Sequence, residues 1–182
     1  MSGVVSDLQK NKTYFGFWLY LLTDAMMFAA LFATFILLRG ATNGGPSGKE
    51  LFDLPFVLTE TIILLLSSVT CGIAYVALMK GKKKLFTWFL LSTLLLGELF
   101  LGLELYEFRN LVADGHIWSS SAFLSAYFTL VGLHGAHILV GLIWGSIVGL
   151  ALLRGVMTDT MKRKFGLFAL FWHFLEVLPC LQ

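Results

Sequence analysis

Five long apolar stretches, separated by short polar turns, constrain this chain more than any other feature of it. A hydrocarbon core about 30 Å thick is crossed by about 20 helical residues rising 1.5 Å each. The stretches run from about Tyr14 to Leu38, Pro55 to Met79, Leu85 to Phe108, Ala122 to Leu153 and Phe165 to Gln182. Periodicity alone does not separate such runs from buried helices of a soluble protein, but five of them in 182 residues leave little else. Composition agrees. Apolar residues make up 58% and charged residues 13%, whereas soluble domains run nearer half and a quarter. The expected fold is all-α, a polytopic membrane bundle of five transmembrane helices (about 14–38, 55–79, 85–108, 122–153 and 165–181) behind an N-terminal segment, 1–13. The fourth run, at 32 residues, exceeds one span and is expected to tilt or protrude. The fifth is the shortest and contains Pro179.

Lysine and arginine in the flanks set the orientation. Lys10, Lys12, Lys80, Lys82, Lys83, Lys84, Arg154, Lys162, Arg163 and Lys164 fall on one side, and Arg39, Lys49 and Arg109 on the other. This places the N-terminus in the cytoplasm and the C-terminus in the periplasm. The Lys80–Lys84 stretch reads as a tight cytoplasmic hairpin and topology anchor, and Asn43-Gly44-Gly45-Pro46-Ser47-Gly48 as an outer turn. A net charge of +2 without a basic stripe argues against nucleic acid. Cys71 and Cys180 both lie in apolar segments and offer no disulfide framework. The polar first thirteen residues carry no cleavable signal pattern, so the chain is expected to be made at full length.

Ionisable side chains within spans cost about 2.5–3.5 kcal/mol at mid-helix, so each needs a reason. Asp24 falls near the midplane, Glu98 about 20 Å along the third helix, and Glu176 roughly 17 Å into the fifth. Glu60 lies one to two turns from the outer surface. Glu104 and Glu107, three apart, share a helical face. Six acids without a mid-span Lys or Arg imply buried, neutral carboxyls. They are expected in the bundle interior, as hydrogen-bonded links between helices or as lipid- and proton-related sites. His134 and His137 share one face of the fourth helix, and His173 lies at mid-depth in the fifth. Two histidines at i and i+3 on one helix cannot approach a haem from opposite sides, and no HExxH or cysteine cluster supports a metal centre. The three histidines are expected to act as interhelical polar partners, and His116 as loop. Gly141, Gly145 and Gly149 form a small-residue ribbon suited to close helix approach, and Ala25, Ala29 and Ala33 repeat it beside Asp24.

These residues carry a resemblance. Leu130-Val131-Gly132-Leu133-His134-Gly135-Ala136-His137, continuing to Trp144, resembles the histidine-bearing helix of subunit III of haem-copper respiratory oxidases. Phe171-Trp172-His173-Phe174-Leu175-Glu176-Val177 is similar to that family's last-helix signature. Tyr20–Phe28 matches the helix whose acid reacts with carbodiimides, here Asp24, and Gly102–Phe108 is similar to a further acidic segment. Five helices and the Asn43–Val57 loop resemble the quinol-oxidising bo-type branch. The resemblance implies a non-catalytic subunit of a bacterial inner-membrane complex that oxidises ubiquinol, reduces oxygen to water and pumps protons. Haem b, haem o and copper would reside in subunit I, with subunits II and IV as further partners. This chain would bind phospholipid and support stability and proton uptake. The Val177–Gln182 end departs from the family's aromatic-rich continuation, so the outer end of the fifth helix is expected to be altered. The rival reading, a small proton-coupled transporter or channel, would also use midplane acids, but no inverted repeat or broken helix pair is visible.

Overall fold

The computed structural model describes residues 2–40, 54–113, 115, 119–154 and 158–176, with the side chains of the first helix from Asn11 onward. Five helices follow in order: α1 (Ser2–Leu38), α2 (Leu54–Met79), α3 (Lys83–Ala113), α4 (Ala122–Leu153) and α5 (Asp159–Leu175). Among the described residues there is no strand. The outer turn Asn43–Gly48, Lys49, His116 and Val177–Gln182, with Pro179 and Cys180, lie outside the described residues.

Four helices are long and apolar enough to cross a membrane: Asn11–Leu38, Pro55–Met79, Lys83–Ala113 and Ala122–Leu153. The fifth is shifted from its expected place, opening at Asp159 rather than Phe165, and at 17 residues it is shorter than the other four. The cause is local. Thr158 is an N-cap whose hydroxyl accepts from the Met161 N–H at 3.3 Å, and Asp159 puts negative charge in the first turn, where the helix dipole favours it. The apolar run therefore marks only part of the helix. The same holds for α1, which is helical from Ser2, before its apolar residues begin, and for α3, which continues past Phe108 to Ala113. The start of α4 agrees with expectation because Ser121 caps it, accepting from the Leu124 N–H at 3.1 Å.

The α2–α3 turn is a Schellman closure. Gly81 takes φ +69°, a left-handed conformation that glycine adopts without a Cβ penalty. The Lys82 N–H donates to the Ala77 carbonyl at 3.0 Å and the Gly81 N–H to the Leu78 carbonyl at 3.1 Å, occupying two carbonyls at the end of α2. The two long helices consequently run antiparallel and make the most extensive contact in the bundle.

α5 is the wedge at the centre. It packs against α4 and α2 and more lightly on α1, while α1 rests chiefly on α4. Phe165, Phe168, Phe171 and Trp172 of α5 are fully buried. Phe165 meets Phe86 of α3 edge-on at 5.2 Å. The glycine ribbon of α4 makes room for these side chains. A Cβ at Gly141 would lie 2.9 Å from the Trp172 ring, at Gly145 2.7 Å from Phe168, and at Gly149 2.5 Å from Leu90. Gly97 of α3 closes on Trp172 from another side, again at 2.9 Å. The ribbon thus admits large side chains of α5 and α3 into the surface of α4. The alanine stripe of α1 does not behave this way. α1 buries Leu21, Asp24 and Phe28, whereas Ala29 and Ala33 are exposed and Ala25 only half-buried. Large apolar side chains such as Leu37, Trp88 and Met26 cover the outside, as lipid contact requires.

Candidate functional site

Three groups of polar side chains are held between helices. The first lies where α1, α4 and α5 meet. Asp24 is buried, and its Oδ2 stands 3.5 Å from Nε2 of His137. Nδ1 of His137 is 2.8 Å from the Leu133 carbonyl one turn back. With the Nδ1 proton donated there, Nε2 is left to face the acid. Tyr20, one turn before Asp24, hydrogen-bonds the same carboxyl. Phe28 lies edge-on to His137 at 5.2 Å and Phe171 6.4 Å away, so the pair is walled by aromatic rings. Oδ2 makes no hydrogen bond among the described residues, so the pair is held as a close polar contact and not as a hydrogen bond.

The second group gathers acids from two helices. Glu60 of α2 and Glu104 and Glu107 of α3 lie close enough to interact electrostatically, together with Tyr127 of α4. The Tyr127 hydroxyl donates to Glu107 Oε1 at 3.2 Å. Glu104 is buried flat against α4, where a Cβ at Gly135 would come within 2.8 Å of its Oε2. Both Glu104 oxygens and Oε1 of Glu60 lack a hydrogen-bond partner among the described residues. His134 is also buried, with both ring nitrogens unpartnered there, and lies edge-on to Phe100 and Phe28 at 5.8 and 6.5 Å.

The third group joins α2, α3 and α5. The Trp172 indole N–H donates to Ser67 Oγ at 3.0 Å, and Ser67 Oγ donates onward to the Thr93 carbonyl at 3.2 Å. Thr70 and Thr93 share a further hydrogen bond between their hydroxyls at 2.9 Å. Ser68, the residue after Ser67, hydrogen-bonds the half-buried Glu176, which caps α5 one turn beyond Trp172. None of these hydroxyls was singled out from the sequence. The available signal was Ser and Thr recurring inside apolar spans, which in membranes commonly marks a helix–helix contact.

Two expected placements are corrected. Glu98 is not interior: it is exposed, because α3 turns Thr93, Gly97, Phe100 and Glu104 inward and leaves Glu98 off that face, toward the margin of the contact with α4. His173 is exposed too, and its Nδ1 lies 2.7 Å from the carbonyl of Ala169 in its own helix, with Nε2 near Gly72 of α2. Glu107 is only half-buried. The donor set does not fit a metal-ion centre. Among the described residues no group of three or more His, Cys, Asp or Glu side chains is arranged to hold a metal ion, and His134 is flanked by the rings of Phe28 and Phe100.

The fold and these groups define a class: a helical membrane protein with acids, histidines and hydroxyls held between its helices. Residues 2–181 match the family model for cytochrome c oxidase subunit III, and the chain belongs to that family, the third subunits of haem-copper oxidases. Among its relatives is the cytochrome bo(3) ubiquinol oxidase subunit 3 of Pseudomonas aeruginosa, 47% identical over 168 residues, covering 92% of this chain and 80% of that one. The cytochrome c oxidase subunit 3 of Bacillus sp. (strain PS3) is 44% identical over 170 residues, covering 93% and 81%. The cytochrome bo(3) ubiquinol oxidase subunit 3 of Buchnera aphidicola subsp. Schizaphis graminum is 35% identical, covering 96% and 93%. These matches give no support to the carrier reading.

Proposed function

We propose that this chain serves a ubiquinol-oxidising, bo-type oxidase of the bacterial inner membrane, oriented with its N-terminus in the cytoplasm. In this reading it is a non-catalytic subunit packed on subunit I, which holds haem b, haem o and copper, within an assembly that includes subunits II and IV. It stabilises the complex, binds phospholipid and supports proton uptake. The carrying observation is the 47% identity, over 92% of the chain, to a protein named as a ubiquinol oxidase subunit. The cytochrome c oxidase relative at 44% makes the electron donor the point to test. Oxygen uptake by the assembly captured through a tag on this chain is expected to run on ubiquinol and not on reduced cytochrome c. Uptake with cytochrome c alone would overturn the assignment.

The interior groups support a role in holding helices and in local proton exchange. Asp24 facing His137 is the leading proton- or lipid-related position, followed by Glu60, Glu104, Glu107 and Glu176. His134 and His137 are read as polar links between helices.

A further inference from the structure

Glu98 belongs to none of the interior groups. It stands midway between Lys83 and Ala113 of α3, exposed, on the wall of an open groove of about 520 Å³ between α3 and α4. Leu105 on α3 and Ile143 and Ile147 on α4 make the groove apolar, while Gly102 and Ser146 are its small residues. A Cβ built on Gly102 would meet nothing within 4 Å, so the groove opens onto the backbone of α3 itself. Its lining runs from 98 to 105 on α3 and from 139 to 147 on α4, about two turns along each helix.

A carboxyl here faces hydrocarbon, which offers it no hydrogen bond. The membrane surface is about 15 Å away, half the thickness of the core, beyond the reach of a glutamate side chain and of a phospholipid headgroup at its ordinary depth. Whatever covers Glu98 must bring a hydrogen-bonding group to the midplane and fit an open apolar groove, two turns long, that holds Gly102 and Ser146. A helix does both, since small residues let a second backbone come close and interhelical hydrogen bonds satisfy polar groups in the membrane. We propose that this groove seats a transmembrane helix of another oxidase subunit, lying over Gly102 and directing a hydrogen-bonding side chain at Glu98. The proposal rests on membership of the subunit III family, which implies partner subunits.

The test is carried out on the whole complex, solubilised mildly and captured through a tag on this chain. A photo-crosslinking residue at Leu105, and separately at Ile143, is expected to yield an adduct with one and the same membrane subunit. Glu98→Leu and Gly102→Leu should each lower recovery of that subunit at least fivefold for equal amounts of this chain, whereas Glu98→Gln, which retains hydrogen bonding, should preserve it. Adducts formed only with lipid or quinone, while a haem-bearing subunit still co-purifies, would overturn the groove proposal and leave the family assignment standing. A captured chain with no haem-bearing partner would instead overturn the reading on which it rests.

Discussion

Trp172 shows how much one side chain does in this bundle. Its ring fills the space left by Gly97 and Gly141, and its indole N–H begins a donor chain through Ser67 to the Thr93 carbonyl. Gly141→Leu should displace that ring and destabilise the folded chain by about 1–3 kcal/mol, the usual range for overpacking, read as a lower midpoint in thermal unfolding of the complex. Ser67→Ala strands a buried indole N–H, a loss of about 1–3 kcal/mol. In a double-mutant cycle with Trp172→Phe, part of that loss should disappear, since phenylalanine leaves no donor to strand. Purely additive effects would show that the hydrogen bond does not couple the two helices. Asp24 gives a chemical test. Labelling by a lipid-soluble carbodiimide is expected on the wild-type chain and absent in Asp24→Asn, with stability changed by less than about 1 kcal/mol. Label persisting in the variant would move the reactive group to Glu98 or Glu176.

At the scale of elements, two small-residue stripes that look alike in sequence have different fates. Gly145→Leu on α4 would collide with Phe168 and is expected to lower recovery of folded chain sharply, whereas Ala33→Leu on the exposed face of α1 should be tolerated within the subunit. Equal losses for the two would contradict the packing described. The difference was not legible beforehand because a helix that is apolar on every side carries no amphipathic signal of its rotation. The same ambiguity hid Glu98. Its depth was legible from its position in the span, but its outward direction was not, and the inward turn of Glu104 was equally open. Span existence was legible because a run of about 20 apolar residues has few alternatives. Helix ends were less so, since α1, α3 and α5 continue through polar turns that lie outside the apolar pattern. The hydroxyl chain through Ser67 was invisible because serine and threonine inside a span satisfy themselves locally as readily as across helices, as Thr34 does with the Ala30 carbonyl.

For the whole molecule, the interior accounts for helix association and the exterior for what surrounds it. Four long helices and a short wedge bury aromatic side chains at the centre and present leucine, isoleucine and tryptophan outward. The proposed orientation, read from the lysine and arginine distribution, puts the Lys80–Lys84 turn in the cytoplasm. A cysteine placed at Lys82 should therefore resist a membrane-impermeant thiol reagent in intact cells and react once they are opened. Reaction in intact cells would invert the orientation. On the proposed reading this subunit stabilises a haem-copper oxidase without holding any of its redox centres. The most direct measurement deletes the chain and compares the haem content, reduced-minus-oxidised spectrum and turnover lifetime of the remaining complex with those of the intact one. An unchanged haem complement and spectrum is expected, with turnover that decays sooner. Loss of one haem from each otherwise assembled complex would contradict it.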